Sequence, residues 1–158
     1  MRTCEKWFIG GFFLLLAGVV SGQALPVIDV YKNPYCGCCG NWIKHLQATG
    51  FSVRVHETSD TDATRRQLGM PATYASCHTA KMTIAGKSYL FEGHVPAGDI
   101  QRLLREKPAA LGLAVPGMPA GSPGMEVPKG QEQPYETLLI LPDGSARVYK
   151  RHAPGQSQ

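Results

Sequence analysis

No part of this chain gathers Lys and Arg into a stripe. The formal charge is +4, from 16 Lys and Arg against 12 Asp and Glu, so no nucleic-acid partner is expected. The chain also lacks an apolar run long enough to cross a bilayer comfortably. Its candidate, Trp7 to Val20, falls short of the roughly 20 residues that a spanning helix needs. No cysteine stands just after that run, which argues against a lipid anchor there. Nor are the cysteines spread through the chain, as a disulfide scaffold would spread them. Apart from Cys4, they are Cys36, Cys38, Cys39 and Cys77.

The N-terminus reads as an export signal. Arg2 and Lys6 form a basic start, the apolar run follows, and Gly22-Gln23-Ala24 offers small residues for cleavage after Ala24. Residues 1–24 and Cys4 would leave with it, and the mature chain would then meet no membrane; the alternative is an uncleaved N-terminal anchor. The remaining length suits one domain, residues 25–151, followed by a flexible tail at 152–158. Export implies an oxidising compartment, and four cysteines allow three pairings. Adjacent Cys38 and Cys39 pair badly with each other. Their crowding suits a redox pair or a metal cluster.

Val27 to Lys32 predicts a strand, and Asn33-Pro34 ends it. Cys39, Trp42, Ile43 and Leu46 follow helical spacing, so a helix from about Cys38 to Thr49 buries that face and stops at Gly50. Phe51 to His56 alternates as a second strand. Ser59 or Asp60 caps a helix over Thr61 to Leu68. Gly69-Met70-Pro71 ends that helix, with a cis Met70–Pro71 bond expected and Ala72 to Ala75 extended. A hairpin is predicted over Lys81–Ile84 and Ser88–Glu92, then a helix over Ala97–Glu106. Pro108 to Pro134 reads as a long loop, with a repeat at Pro116-Gly117-Met118 and Pro123-Gly124-Met125. A last hairpin joins Thr137–Leu141 to Ala146–Lys150. The order predicts an α/β fold of thioredoxin-like type: a small central mixed sheet with flanking helices, plus the Pro/Gly/Met-rich loop and the C-terminal hairpin.

Cys36 and Cys39 have the C-x-x-C spacing of thiol-disulfide oxidoreductases, and a helix N-terminus favours a thiolate. Cys38 fits that chemistry poorly, because a third thiol would divert mixed disulfides. Neighbours on a helix point about 100° apart, so Cys38 and Cys39 are better placed to bridge several ions than to chelate one. Cys77 can close such a cluster, and His94, after Gly93, can point back at it. Thiolates with thioethers from Met118 and Met125 and an imidazole favour Cu(I). Zinc in a closed thiolate site is the lesser alternative. His78 should face away from Cys77 if the two are neighbours on a strand. His45 lies about 10 Å along the helix from Cys38 and reads as a solvated side chain. His56 and His152 carry no usable signal.

Four motifs together resemble the CopG-type copper-resistance family. They are Tyr31-Lys32-Asn33-Pro34 with Cys36-Gly37-Cys38-Cys39 and Trp42; Ser76-Cys77-His78-Thr79-Ala80; Glu92-Gly93-His94-Val95-Pro96; and Val115-Pro116-Gly117-Met118-Pro119 with Gly121-Ser122-Pro123-Gly124-Met125-Glu126. Where that family often has Val before the proline of its Gly-x-Pro turn, this chain has Met70. The resemblance implies a periplasmic protein that holds a multinuclear copper cluster and interconverts Cu(I) and Cu(II) in copper resistance. It implies Cys36, Cys38, Cys39 and Cys77 as thiolate ligands and His94 as an imidazole ligand, with Met118 and Met125 as weaker candidates. Copper ions would be its partners, with a periplasmic copper exporter or chaperone beside them. A thiol-disulfide oxidoreductase using Cys36 and Cys39, and a copper store or chaperone without turnover, stand as alternatives. Whether the chain is an enzyme stays open at this point.

Overall fold

The computed structural model describes residues 25–155. The expected export signal with Cys4, and the last three residues, lie outside them. Ten regular elements follow one another: β1 (Ile28–Lys32), α1 (Gly37–Ala48), β2 (Val53–Glu57), α2 (Thr61–Leu68), β3 (His78–Ile84), β4 (Lys87–Gly93), α3 (Ala97–Glu106), β5 (Gly112–Val115), β6 (Tyr135–Ile140) and β7 (Ala146–His152). The strands form one seven-stranded mixed sheet in the order β2-β1-β3-β4-β5-β6-β7. β1 and β2 are parallel, as are β4 and β5, and the other neighbours are antiparallel.

Alternation along the strands gives each face of the sheet its own core. On one face Ile28, Val30, Ala80, Met82, Phe91, Leu113 and Leu139 meet Trp42, Ile43 and Leu46 of α1 and Ile100, Leu103 and Leu104 of α3. The other face carries a smaller cluster of Met70, Leu90, Ala114 and Ile140, with Leu68 of α2 against it. The Trp42 indole N–H donates to the Val95 carbonyl at 2.8 Å, tying α1 to the start of α3. Asp60 caps α2 by accepting from the Ala63 N–H at 2.8 Å.

Several expectations are corrected. The Met70–Pro71 bond is not cis, since the described residues contain no cis peptide. Pro71, at φ −61°, instead opens a 3-10 turn over Ala72–Tyr74, where an extended segment was expected. Met70 lies in the smaller core, so its thioether belongs to packing. The stretch from 108 to 134 is not all loop, because it supplies β5, a fully buried interior strand. Gly112 looks like a loop residue in sequence, but a Cβ there would overlap the Leu90 carbonyl across the ladder. The glycine is set by close backbone approach. The tail begins later than 152: His152 ends β7 and is 2% exposed. Its ring stacks on Tyr135 and bonds Thr137 at 2.9 Å and Asp99 at 3.0 Å.

Candidate metal centre

β1 hands the chain to α1 through a tight turn. The Cys36 N–H donates to the Asn33 carbonyl at 3.0 Å, and the Tyr35 N–H to the Asn33 side chain at 2.9 Å. Cys36 is then the N-cap of α1, and Cys38 and Cys39 lie in its first turn. Cys39 is buried on the same face as Trp42. Cys36 and Cys39 form a disulfide, while Cys38 and Cys77 are free. The Cys38 Sγ lies 3.5 Å from the Cys36 Sγ. The sulfurs of Cys36, Cys38, Cys39 and Cys77 all fall within 4.8 Å of one another.

Cys77 comes from a bend just before β3, and that bend is clamped from below. Arg65 of α2, 2% exposed, pairs with the fully buried Glu92 of β4 at 2.8 Å. Arg65 also donates to the Ser76 carbonyl at 2.7 Å, and Glu92 accepts from the Ser76 N–H at 2.7 Å. Both backbone polar groups of the residue before Cys77 are thereby fixed. Burial and the ion pair oppose each other on these side chains. Burial pushes the Glu92 carboxyl up despite Arg65, and the Arg65 guanidinium rises, its partners Glu92 and Asp62 outweighing burial.

Two imidazoles converge on Cys77. The His94 Nε2 is 3.2 Å from its sulfur, and the His78 Nδ1 is 3.3 Å away. The His94 Nδ1 donates to the Pro123 carbonyl at 2.7 Å. A carbonyl only accepts, so the proton sits on Nδ1 and the Nε2 lone pair faces Cys77. A hydrogen bond of this kind, from the far ring nitrogen, commonly fixes the tautomer of histidines in metal sites. Burial lowers the His94 pKa, and it lowers that of His78 to about 3, with His94 beside it adding to the effect. Burial, and then the neighbouring Cys38, push the Cys77 thiol up to about 12. Neutral imidazoles beside the protonated Cys77 thiol are a donor set that a soft cation can take over by displacing the thiol proton.

His78 corrects the expectation that it faces away from Cys77. Cys77 lies outside the strand, so strand alternation does not separate the two. Within β3, His78 shares the face of Ala80 and Met82 and packs on Trp42, ring centres 4.3 Å apart. His45 is likewise not a solvated side chain. Its Nε2 accepts the Ala97 N–H at 3.0 Å and so caps α3.

The two Pro-Gly-Met segments brace the centre through their backbones. Gly117 accepts from the Ser76 hydroxyl at 2.5 Å. Pro123 holds His94, and Gly124 lies flat on the first turns of α1. A Cβ on Gly124 would sit 2.6 Å from the Trp42 nitrogen and 2.8 Å from the Cys38 oxygen, and its φ is +86°. Met118 is 51% exposed, and Met125 is partly buried. The clamp of Arg65, Glu92 and Ser76 had no role in the sequence reading, although Ser76 and Glu92 flank the Cys77 and His94 motifs.

Sheet, helix N-terminus, thiols and imidazoles together define an α/β protein with a soft-donor centre able to hold metal. The comparisons narrow that class. A family model described as a protein of unknown function, DUF411, matches residues 74–125. Two solved structures titled copper resistance protein CopG, forms 2 and 1, are 43% and 45% identical, with TM-scores of 0.73 and 0.72. The matches cover 81% and 83% of this chain and 98% and 100% of theirs. No curated protein matches the chain. The chain belongs to the CopG-type family of copper resistance proteins.

Proposed function

We propose that this protein is a periplasmic copper-binding protein that holds several copper ions in a thiolate-bridged cluster and interconverts Cu(I) and Cu(II) during copper resistance. Once the Cys36–Cys39 bond is reduced, Cys36, Cys38, Cys39 and Cys77 supply the thiolates, and His94 supplies an imidazole. The observation that carries this reading is the convergence of four sulfurs within 4.8 Å, with the His94 Nε2 lone pair 3.2 Å from Cys77. Soft sulfur donors select Cu(I), and an imidazole accepts either oxidation state. Met118 and Met125 serve as outer thioethers that pass copper in from the loop. The order β2-β1-β3-β4, with the thiols where β1 meets α1, supports a thioredoxin-like core extended by β5, β6 and β7. A periplasmic exporter or chaperone would deliver or receive the copper. No helix among the described residues is long and apolar enough to cross a membrane.

The Cys36–Cys39 disulfide favours a second reading, thiol-disulfide exchange without copper. Cys38→Ser separates the two. The copper reading expects the copper content of the reduced protein to collapse while exchange between the Cys36–Cys39 pair and a small dithiol persists. Unchanged copper content in this variant would count against the bridged cluster.

A further inference from the structure

We propose a division of labour within the centre: Cys36 and Cys39 supply electrons, while Cys38, Cys77 and His94 keep hold of copper. This rests on the copper reading above. The structure separates the two groups covalently, since Cys36 and Cys39 are bonded while Cys38 and Cys77 are free thiols. Closing that bond leaves a soft set in place: Cys38, Cys77 within 4.8 Å of it, and His94 at 3.2 Å from Cys77. The holders also stand on other supports. Cys77 follows the residue clamped by Arg65 and Glu92, and His94 is fixed by Pro123. The bridge touches these holders at one point, the Cys39 sulfur 3.8 Å from the Cys77 carbonyl.

Access follows the same division. Cys36 sits at the rim beside Tyr35, which is 94% exposed, whereas Cys39 is fully buried. An incoming dithiol therefore meets the Cys36 sulfur first.

The step balances with Cu(II) as oxidant. Two Cu(II) ions each take one electron from the Cys36 and Cys39 thiols, which release two protons to solvent and join as a disulfide, a two-electron change. The products are two Cu(I) ions and the bonded pair. An external dithiol resets it: one thiolate attacks the Cys36 sulfur, the S–S bond breaks, and Cys39 leaves as a thiolate and takes a proton. The second thiol of the reductant then resolves the mixed disulfide and frees Cys36.

The test adds an aqueous Cu(II) salt to the reduced full chain without oxygen, followed by Cu(II) electron paramagnetic resonance and alkylation mapping after copper removal. The expected result is loss of the signal from two equivalents of Cu(II) and loss of two alkylatable thiols. Mapping should place the new bond between Cys36 and Cys39, with Cys38 and Cys77 alkylated. A bond involving Cys38 or Cys77, or a Cu(II) signal that persists, overturns the assignment. A second arm adds Cu(I) to the disulfide form. Copper retention that disappears in Cys77→Ser supports the holding role, and no retention overturns it. Reduced protein that binds no Cu(I) at all sinks the copper reading itself. Reduced protein that binds Cu(I) yet leaves Cu(II) unreduced sinks only the electron assignment.

Discussion

The His94 ring joins two separate parts of the chain, its Nδ1–H on the Pro123 carbonyl and its Nε2 turned 3.2 Å from the Cys77 sulfur. Replacing His94 with Ala removes both contacts. The Cu(I) affinity of the reduced protein should fall by at least roughly 10–100-fold, the range for losing even an outer group that orients a metal ligand. Competition with a Cu(I) chelator measures it; an affinity within a factor of two of the parent's would remove His94 from the site.

Gly124 tests whether the second Pro-Gly-Met segment is structural. Its positive φ and its contact with the α1 backbone leave no room for a Cβ. Gly124→Ala should destabilise the fold by about 1–3 kcal/mol and weaken copper binding by shifting Pro123 away from His94. Gly130 has a similar φ of +90° but nothing within 4 Å of its would-be Cβ. Gly130→Ala should show the backbone strain alone, and copper binding should not change. Chemical denaturation of both variants, with copper titrations, checks the contrast.

The Arg65–Glu92 pair separates stability from positioning. Arg65→Ala leaves a buried carboxylate without its partner and should cost about 3–5 kcal/mol. The double change Arg65→Met with Glu92→Leu removes both charges and should recover most of that loss. It also removes both holds on Ser76, so Cys77 should bind copper more weakly even in a well-folded protein. Full recovery of affinity together with stability would show that the clamp only supports the fold.

Parts of this arrangement were legible in the residues and parts were not. Trp42, Ile43 and Leu46 announce α1 by their period, and Cys77 and His94 announce themselves by residue type. Arg65 and Glu92 sit on different elements, so their pairing leaves no periodic trace in the chain. β5 was hidden because Gly112 and the surrounding prolines read as loop, whereas the glycine answers to the Leu90 backbone across the sheet. Strand alternation does not carry back to Cys77, which lies in the bend before β3 begins at His78, so the two side chains share a side. His152 was hidden by its charged neighbours, Lys150 and Arg151; half-exposed Lys150 reaches the same Asp99 at 3.5 Å, while the histidine is buried against it.

That buried contact carries a pH dependence. Burial opposes the charged form of Asp99, but hydrogen bonds from His152 and Thr137, with the His152 and Lys150 charges, outweigh it and lower its pKa. A carboxylate with a lowered folded value contributes stability that is fully present above the unfolded value of about 3.9. It is lost as pH falls through the lower folded value. Asp99→Asn should therefore flatten the acid limb of the stability curve below about pH 4. Urea midpoints through the acid range measure the slope, and an unchanged acid limb would exclude Asp99 as its source.

The central claim is that in the reduced chain the four thiols act as one copper-holding unit. Its most direct test is the copper-to-protein ratio of the fully reduced chain after anaerobic Cu(I) loading, with free thiols counted before and after. The account predicts more than one copper per chain, with all four cysteines protected from alkylation. Stoichiometric zinc without copper, or a Cys36–Cys39 disulfide that re-forms regardless of copper, would contradict it.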